Sequence, residues 1–598
     1  MSKDSKDAKD SKDSKDSLVK GTLILTLAAL VARALGVVQR IPLVYLLGDI
    51  GMAAYGIAFN LYSLLLVVAT AGIPSALSKM ISERTSLGRH EEADRIYRAA
   101  LWFAAIAGVV MTAIMYAGAP YFARSIINPQ ATLPIQAIAP ALLLFPLIAI
   151  MRGYFQGRRM MMPGGISQII EQIFRVATSV VLAYLLLSHS LDAAVAGASF
   201  GGVMGSVAAA AVMLYYALRL RRRDRGERAA GQEASGAAGA KASAAEASAS
   251  GARAAIAGAP ASGAASAGPP LSFRAIYAQL FKLSVPIVIF SMTVTLIYTI
   301  DSSIVTLLLK DQTGEHTARE LLGILTGRAQ SLAGIPIILA VALSQSIVPI
   351  ISGAYSQNDL KQVSAQTSKV LQLALLSGLP MVLLIALGAR PLNGFIFGNS
   401  TGSAVVEAYA GPIIAALTVS AIFQIVMQTS GAVLMGMGRM KPLVLGVAAG
   451  IAVKLLLSFA LAPLWGIYGI IAATAACFIL MTAINVRVLH QAVPFQVFTL
   501  RRWGALAVST ALVVLAGLLA DWTAGAYIRP FASLRANDLV QAVVVCGIVG
   551  VLYTLLLFAT RVMTLQELNS LPGPLRKLLK PLLSRLPGAR KASDEGQA

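Results

Sequence analysis

The sequence predicts an all-α polytopic membrane protein with about fourteen transmembrane helices. Of its 598 residues, 57% are hydrophobic and only 13% are charged, and the mean hydropathy is +0.74, outside the usual range of soluble proteins. Apolar segments of about 20 residues, enough to cross a hydrocarbon core of about 30 Å, recur along almost the whole chain. A transmembrane β-barrel would instead alternate apolar and polar residues in segments of about 10, whereas these runs are continuous.

Fourteen segments are predicted to cross the membrane, and three polar segments lie outside them. The predicted spans are 18–47, 55–82, 99–127, 134–156, 166–188, 191–218, 276–309, 319–353, 363–389, 405–434, 442–462, 466–489, 503–523 and 538–560. Residues 1–17 repeat Ser-Lys-Asp without an apolar centre, so we expect a disordered cytoplasmic tail and no signal peptide. The Ala-, Gly- and Ser-rich residues 219–275 predict a flexible cytoplasmic linker, and 561–598 a basic cytoplasmic tail.

Lysine and arginine gather in every second connection, which predicts cytoplasmic termini in a bacterial plasma membrane because retained loops are enriched in these residues. The basic connections contain Arg84, Arg89, Arg95, Arg98, Arg152, Arg158, Arg159, Lys361, Lys369, Arg439, Lys441, Arg487, Arg501 and Arg502. The opposite connections hold little beyond Arg124, Lys310, Arg319, Arg390, Arg529 and Arg535. The net charge of +22 is therefore spread over many loops, which favours topology and anionic lipids over nucleic acid as its explanation.

The first twelve spans form two similar halves. GRRMMMP follows the fourth span at 157–163, and Arg175 comes twelve residues after its proline. GMGRMKP follows the tenth span at 436–442, and Lys454 has the same spacing. We therefore predict two six-helix lobes, 18–218 and 276–489, related by an axis along the membrane normal and separated by a substrate path. The two spans within 490–560 are an additional pair.

Ionisable residues inside the spans are the candidate functional residues, because each costs at least about 2.5 to 3.5 kcal/mol at mid-bilayer unless it has water or a partner. The candidate cations are Arg33, Arg40, Arg175, Arg328 and Lys454. If they converge, they form an anion-binding cavity, and the planar fork of arginine suits a phosphate or diphosphate. The alternative is that they extend to the membrane surface or pair with acids, as Glu171 could with Arg175 at i,i+4 spacing.

The acids inside the spans have two interpretations. Asp301, in the seventh span, could hold a coupling Na⁺ or H⁺, or it could orient an arginine. Glu171 has the same alternatives, ion coupling or charge pairing. The four histidines are scattered, and Cys477 and Cys546 lack metal-ligand spacing, so we expect no metal site, no cofactor and no enzyme active site. The membrane potential or a coupling cation would then drive transport.

Several stretches resemble the multidrug/oligosaccharidyl-lipid/polysaccharide exporter superfamily over about residues 18–560, and within it the MurJ-like and stage V sporulation protein B-like lipid II flippases. They are RALG at 33–36, RGYFQG at 152–157 with Met162, Pro163, Ser167, Gln168, Glu171, Gln172 and Arg175, and Arg328 upstream of Pro336. The resemblance implies a V of two lobes, a cationic central cavity, and a lipid-tail groove lined by the helices of 490–560. Arg33 and Arg328 match cavity arginines of the family, Arg40 is offset by one position, and a further family arginine in the second helix has no counterpart.

The resulting hypothesis is a flippase that moves undecaprenyl-diphosphate-linked lipid II from the inner to the outer leaflet by alternating access. Its expected partners are this anionic lipid-linked glycan and membrane lipids, with cell-wall synthesis proteins as candidates and no nucleic acid. The alternatives within transport are a flippase for another polysaccharide or oligosaccharide lipid and a cation-coupled drug exporter. An alternative of another class is a non-transporting scaffold in the cell-envelope or sporulation machinery.

Overall fold

The computed structural model describes residues 3–70, 72–86, 89–158, 160–249, 273–398, 402–527, 530–560 and 562. Within these ranges all regular elements are helical, which confirms the all-α prediction. The first nine helical elements are α1 Lys3–Thr70, α2 Ile73–Ser86, α3 His90–Ser125, a 3₁₀ turn Pro129–Ala131, α4 Thr132–Ile138, α5 Ala141–Gly157, α6 Met162–Leu186, α7 Leu191–Ala249 and α8 Phe273–Thr313.

The remaining elements continue this helical pattern. They are α9 Glu315–Gly323, a π-helical segment Ile324–Ala329, α10 Gln330–Ser356, α11 Leu360–Leu387, α12 Ala389–Ile396, α13 Ala404–Gly436, α14 Met440–Trp465, α15 Ile467–Ala492, α16 Leu500–Tyr527 and α17 Leu534–Ala559.

Twelve helices among the described residues are long and apolar enough to cross a membrane. The count is 13 if the pair Pro129–Ile138 and Ala141–Gly157, bent by 41°, forms one span. The first candidate, Leu30–Thr85, has 56 residues, more than twice the number of about 20 that one crossing needs. Its backbone breaks at Gly48, where φ 63° and ψ −178° are accessible essentially to glycine alone. The described residues thus give 12 or 13 candidate spans, close to the predicted number of about fourteen.

Two helices extend into segments that the sequence predicted to be irregular. The backbone of α1 is already helical at Lys3, within the predicted tail 1–17, and α7 continues to Ala249 through much of the predicted linker 219–275. Oppositely charged residues four positions apart in the tail, and the many alanines of the linker, favour helical backbone. Residues 250–272 of the linker lie outside the described residues, as does the basic tail apart from Val562, and α8 begins at Phe273, three residues before the end of the predicted linker.

The chain divides into two compact units, Met1–Leu307 and Leu308–Ala598. The boundary falls within α8 and not in the linker, and hydrogen bonds join α8 to α1. Asn60 Nδ2 of α1 donates a hydrogen bond to Ser302 Oγ of α8 at 2.6 Å. Most of α8 therefore belongs to the first unit, whereas the sequence assigned the whole helix to the second lobe, 276–489.

Packing within the two units repeats, which supports the predicted internal duplication. In the first unit α2 packs against α3 and α5, α3 against α5, α5 against α7, and α6 along α7. In the second unit α10 packs against α11 and α13, α11 against α13, α13 against α15, and α14 along α15. Spans two to six and spans eight to twelve thus have corresponding neighbours.

The additional helices α16 and α17 pack against each other and against α11 in the second unit. Val513 and Val545 are fully buried in this cluster together with Leu383. Large apolar side chains such as Leu515 and Trp522 stay exposed on the outer face of α16, as expected for a surface in contact with lipid. The lipid-tail groove in 490–560 stays a prediction.

Candidate anion-binding site

Three glycines of α7 bring this helix into close contact with the part of α6 that contains the candidate residues. Gly197, Gly201 and Gly205 are spaced by four residues, a pattern that allows membrane helices to approach closely. A Cβ on Gly201 would lie 2.7 Å from the carbonyl oxygen of Arg175. A Cβ on Gly205 would lie 2.8 Å from the carbonyl oxygen of Glu171 and 3.0 Å from Arg175 Cβ. The glycine stripe therefore fixes the backbone on which Glu171 and Arg175 stand.

Arg175 is partly buried and incompletely satisfied. Its Nη2 donates a hydrogen bond to Gln172 Oε1, and its Cζ lies 5.8 Å from the centroid of the Phe59 ring. Its Nε is buried and has no hydrogen-bond partner among the described residues. A buried donor without an acceptor costs about 1 to 3 kcal/mol. Arg175 therefore has one donor that the described residues leave unsatisfied in this conformation.

Arg40 of α1 approaches the same aromatic ring. Its Cζ lies 5.9 Å from the Phe59 centroid, and Phe59 itself stacks on Tyr55 with a centroid distance of 6.0 Å. The negative face of an aromatic ring attracts a guanidinium, so one ring holds two cations that repel each other. Arg40 has additional interactions within the chain. Because an anion would offset the repulsion between Arg40 and Arg175, this cluster is suited to bind one.

Glu171 pairs with Arg152 of α5 and not with Arg175, the i,i+4 partner that the sequence offered as one alternative. Arg152 Nη2 lies 2.9 Å from Glu171 Oε2, and Arg152 Nε donates to Ser167 Oγ at 2.7 Å. Helix spacing alone could not predict this pair because the partner stands on a neighbouring helix. The geometry favours charge pairing over ion coupling for Glu171, which is only 6% exposed.

Arg33 lies two turns before Arg40 on α1 and has an exposed side chain. Arg40 is partly buried against Phe59. The two arginines of this helix thus occupy different environments.

Arg328 lies in the second unit, within the π-helical segment, and is 1% exposed. Its Nη1 donates to Asn393 Oδ1 at 3.2 Å and to the carbonyl oxygen of Gly398 at 2.7 Å. Its Cζ stands 5.8 Å from the centroid of Phe397. These contacts attach Arg328 to α12 and the residues that follow it. Substrate binding by Arg328 stays a prediction.

Lys454 is fully buried between α14 and α15 in the second unit. Its Nζ donates to Thr474 Oγ1 at 2.7 Å and approaches the carbonyl oxygen of Ile470 at 3.4 Å. Arg175 of α6 and Lys454 of α14 thus occupy corresponding positions of the repeat, but their surroundings differ. Lys454 has side-chain and backbone acceptors, whereas Arg175 retains an unpartnered Nε.

Asp301 is 3% exposed on α8 in the first unit and interacts with other groups of the chain. Beside it, Asn60 contacts Ser302, and Thr299 Oγ1 donates to the carbonyl oxygen of Asn60 at 3.1 Å. This burial is compatible with both interpretations of Asp301. No group of three or more His, Cys, Asp or Glu side chains that could hold a metal ion occurs in the part of the chain that the structure describes.

Two contributors to this site were not predicted as site residues. Phe59 is one aromatic residue among many apolar ones, and nothing in its sequence context distinguishes it. Arg152 belongs to the RGYFQG stretch, and we assigned it to a basic connection only. Arg152 lies near the end of the fourth predicted span, and Ser167 near the start of the fifth, fifteen residues later. This proximity in sequence was the one available sign that the two side chains could meet.

Comparison with known proteins gives matches along most of the chain. Residues 18–228, the first six spans, match the family described as Polysaccharide biosynthesis protein. Lipid II flippase MurJ of Bacillus subtilis (strain 168) is 26% identical, covering 94% of this chain and 98% of its own length. Stage V sporulation protein B of the same organism is 25% identical, covering 93% of this chain and 97% of its own length.

Solved structures share the fold. The inward closed conformation of lipid II flippase MurJ has a TM-score of 0.58 and 13% identity, covering 90% of this chain and 99% of its own. An inward-facing MATE multidrug transporter of the MOP superfamily has a TM-score of 0.60 and 14% identity, covering 79% and 98%. One of these proteins is named as a flippase and the other as a transporter, and the shared fold together with the apolar helices indicates a multi-pass membrane protein.

Proposed function

We propose that this chain, which is similar to MurJ and stage V sporulation protein B, belongs to the multidrug/oligosaccharidyl-lipid/polysaccharide exporter superfamily and is a lipid II flippase. It moves the undecaprenyl-diphosphate-linked peptidoglycan precursor from the inner to the outer leaflet of the bacterial plasma membrane. In the proposed orientation both termini face the cytoplasm. The similarity to lipid II flippase MurJ over 94% of this chain supports this substrate over unrelated cargo.

The observation that supports an anionic substrate most strongly is the pair of arginines on Phe59. Arg40 and Arg175 stand 5.9 and 5.8 Å from the ring centroid, and the Nε of Arg175 is buried without an acceptor. A diphosphate supplies several charged oxygens that can accept hydrogen bonds from guanidinium groups. In this proposal Arg175 and Arg40 contact the diphosphate of the substrate.

The proposed mechanism is alternating access without formation or cleavage of a covalent bond. The headgroup binds from the cytoplasmic side and leaves on the other side, while the lipid tail stays in the bilayer beside α16 and α17. A negative-inside potential favours outward movement of an anion by about 2.3 kcal/mol per charge per 100 mV. We propose that this potential drives the step and that a Na⁺ or H⁺ at Asp301 returns the empty carrier.

A second candidate is a flippase for a different lipid-linked polysaccharide unit. The match of residues 18–228 to the family described as Polysaccharide biosynthesis protein favours it. Its diphosphate would use the same arginines, so the two candidates differ in the sugar and not in the anion. Export of cationic drugs is disfavoured because Arg40 and Arg175 would repel such a substrate.

The test is lipid II accessibility at the outer leaflet of cells depleted of other flippases. The wild type is compared with Arg40→Ala and Arg175→Ala, and with Arg487→Ala as a control at an exposed position of α15. We expect the wild type and the control to restore outer lipid II and the two site variants to lose it at equal expression. Failure of correctly inserted wild type would exclude lipid II, and unimpaired site variants would exclude the proposed anion contact.

A further inference from the structure

Glu171 stands one helical turn from Arg175, a position from which its carboxylate could neutralise the arginine that we propose to bind the substrate. Residues four apart on a helix are side-chain neighbours. Glu171 is 6% exposed, and a buried carboxylate strongly favours a cationic partner over none. Pairing with Glu171 would therefore make Arg175 less available to an anionic ligand.

Arg152 on α5 is the cation with which Glu171 pairs instead. Its Nη2 lies 2.9 Å from Glu171 Oε2, and its Nε, on the same edge of the guanidinium, donates to Ser167 Oγ at 2.7 Å. Ser167 Oγ in turn donates to the carbonyl oxygen of Gly164 at 3.1 Å, which leaves its lone pairs for Arg152. Arg152 is thus held at two points on α6, and its edge is oriented onto the carboxylate.

We propose that Arg152 is a positioning residue that holds Glu171 away from Arg175 and so keeps Arg175 available to the substrate diphosphate; this inference rests on the proposed function. The acceptor that Arg175 Nη2 does use is the neutral side-chain oxygen of Gln172. A neutral acceptor orients the guanidinium without cancelling its charge. Arg152 therefore sets the anion affinity of a site that it does not itself contact.

This role predicts a specific pattern of loss and rescue. In Arg152→Gln, Glu171 loses its partner and pairs with Arg175, so anion affinity falls by about tenfold or more, the effect of losing one charge-assisted hydrogen bond. In Arg152→Gln/Glu171→Gln the competing carboxylate is gone as well. The double variant should regain affinity to within about threefold of the wild type, less than the effect of one such hydrogen bond. Glu171→Gln alone should bind at least as tightly as the wild type.

The experiment measures binding of farnesyl diphosphate, a short prenyl diphosphate, to the full-length protein in nanodiscs, alongside the thermal unfolding temperature of each variant. Rescue in the double variant supports the proposal, because a merely structural ion pair would leave both Arg152→Gln and the double variant impaired. Binding by the wild type without rescue at unchanged unfolding temperature would overturn this inference alone. Absence of binding by a folded wild type would overturn the proposed diphosphate site and the inference with it.

Discussion

Arg158 holds Asp224 through two parallel hydrogen bonds, from Nη1 to Oδ2 at 2.6 Å and from Nη2 to Oδ1 at 3.2 Å. The pair joins the C-terminal end of α5 to the distal part of α7, and Arg158 Cζ stands 5.9 Å from the centroid of the Tyr154 ring. The carboxylate of Asp224 raises the pKa of Arg158 above its ordinary value, although burial opposes this. The fork geometry makes this pair stronger than a single-point contact.

We therefore expect Arg158→Lys to lower the free energy of unfolding by about 1 kcal/mol, since lysine keeps the charge but not the two-point contact. A raised arginine pKa gives stability that is complete below the ordinary pKa and is lost only as the pH rises through the raised value. The difference between variant and wild type should therefore stay constant between neutral and mildly alkaline pH. Denaturant unfolding of the solubilised protein measures it, and equal stabilities would contradict a structural role for the fork.

Phe59 is expected to organise the two arginines that approach its ring. Phe59→Leu retains an apolar side chain but removes the ring quadrupole, which is worth about 0.5 to 2 kcal/mol per cation. We expect diphosphate binding to weaken by about 3- to 30-fold, because Arg40 and Arg175 would no longer be held in place. Phe59→Tyr, which keeps an aromatic face, should bind more tightly than Phe59→Leu. Equal binding by the leucine and tyrosine variants would show that the ring only fills space.

Gly205 is expected to be intolerant of even one methyl group. A Cβ there would meet the Glu171 carbonyl oxygen at 2.8 Å and Arg175 Cβ at 3.0 Å, so α6 and α7 would have to separate. Overpacking of this kind costs about 1 to 3 kcal/mol. Gly205→Ala should lower the unfolding temperature and reduce transport.

Gly504 of α16 supplies the matched control for this substitution. A Cβ at Gly504 has no neighbouring atom within 4 Å, and alanine favours helix by up to about 1 kcal/mol over glycine. Gly504→Ala should therefore be neutral or stabilising in the same thermal assay. If both alanine variants behave alike, the close approach of α6 and α7 is not what requires glycine at position 205.

Lys454 is expected to be dispensable for substrate binding despite its matched place in the repeat. Replacing a buried charge by an apolar side chain of similar length is often close to neutral. Lys454→Met should therefore retain most outer-leaflet lipid II accessibility, because Thr474 Oγ1 still donates to the carbonyl oxygen of Ile470 at 3.1 Å. Thr474→Val instead removes one acceptor from the ammonium and should destabilise by about 1 to 3 kcal/mol. Loss of transport in a stable Lys454→Met protein would place Lys454 at the substrate.

The helical class and the spans could be predicted from the sequence because the bilayer acts on every residue of a span through a single property, its hydropathy. The repeat could be predicted because GRRMMMP and GMGRMKP mark the same place in two similar units, and the helix packing repeats accordingly. Such features depend on local composition and spacing. They require no knowledge of which helix lies beside which.

The contacts of the charged residues depend on neighbouring helices, so their partners could be predicted less well from the sequence. Glu171 pairs with Arg152 on α5, although helix periodicity indicated Arg175 as its neighbour. Arg40 and Arg175 meet at Phe59, which no spacing rule could select. The π-helical turn around Arg328 has no distinct composition, yet it directs that side chain towards α12.

Arg328 provides the sharpest test of whether a buried arginine binds substrate or stabilises the fold. Lysine cannot reach Asn393 Oδ1 and the Gly398 carbonyl oxygen while stacking over Phe397 with a planar group. Arg328→Lys should therefore lower the free energy of unfolding by about 1 to 3 kcal/mol and expose Ala389–Ile396 to protease. Arg390→Lys, at an exposed position of the same helix, should change stability by less than about 0.5 kcal/mol. If Arg328→Lys instead keeps its stability and loses transport, Arg328 contacts the substrate. Only a ligand contact would then make arginine and lysine at position 328 differ.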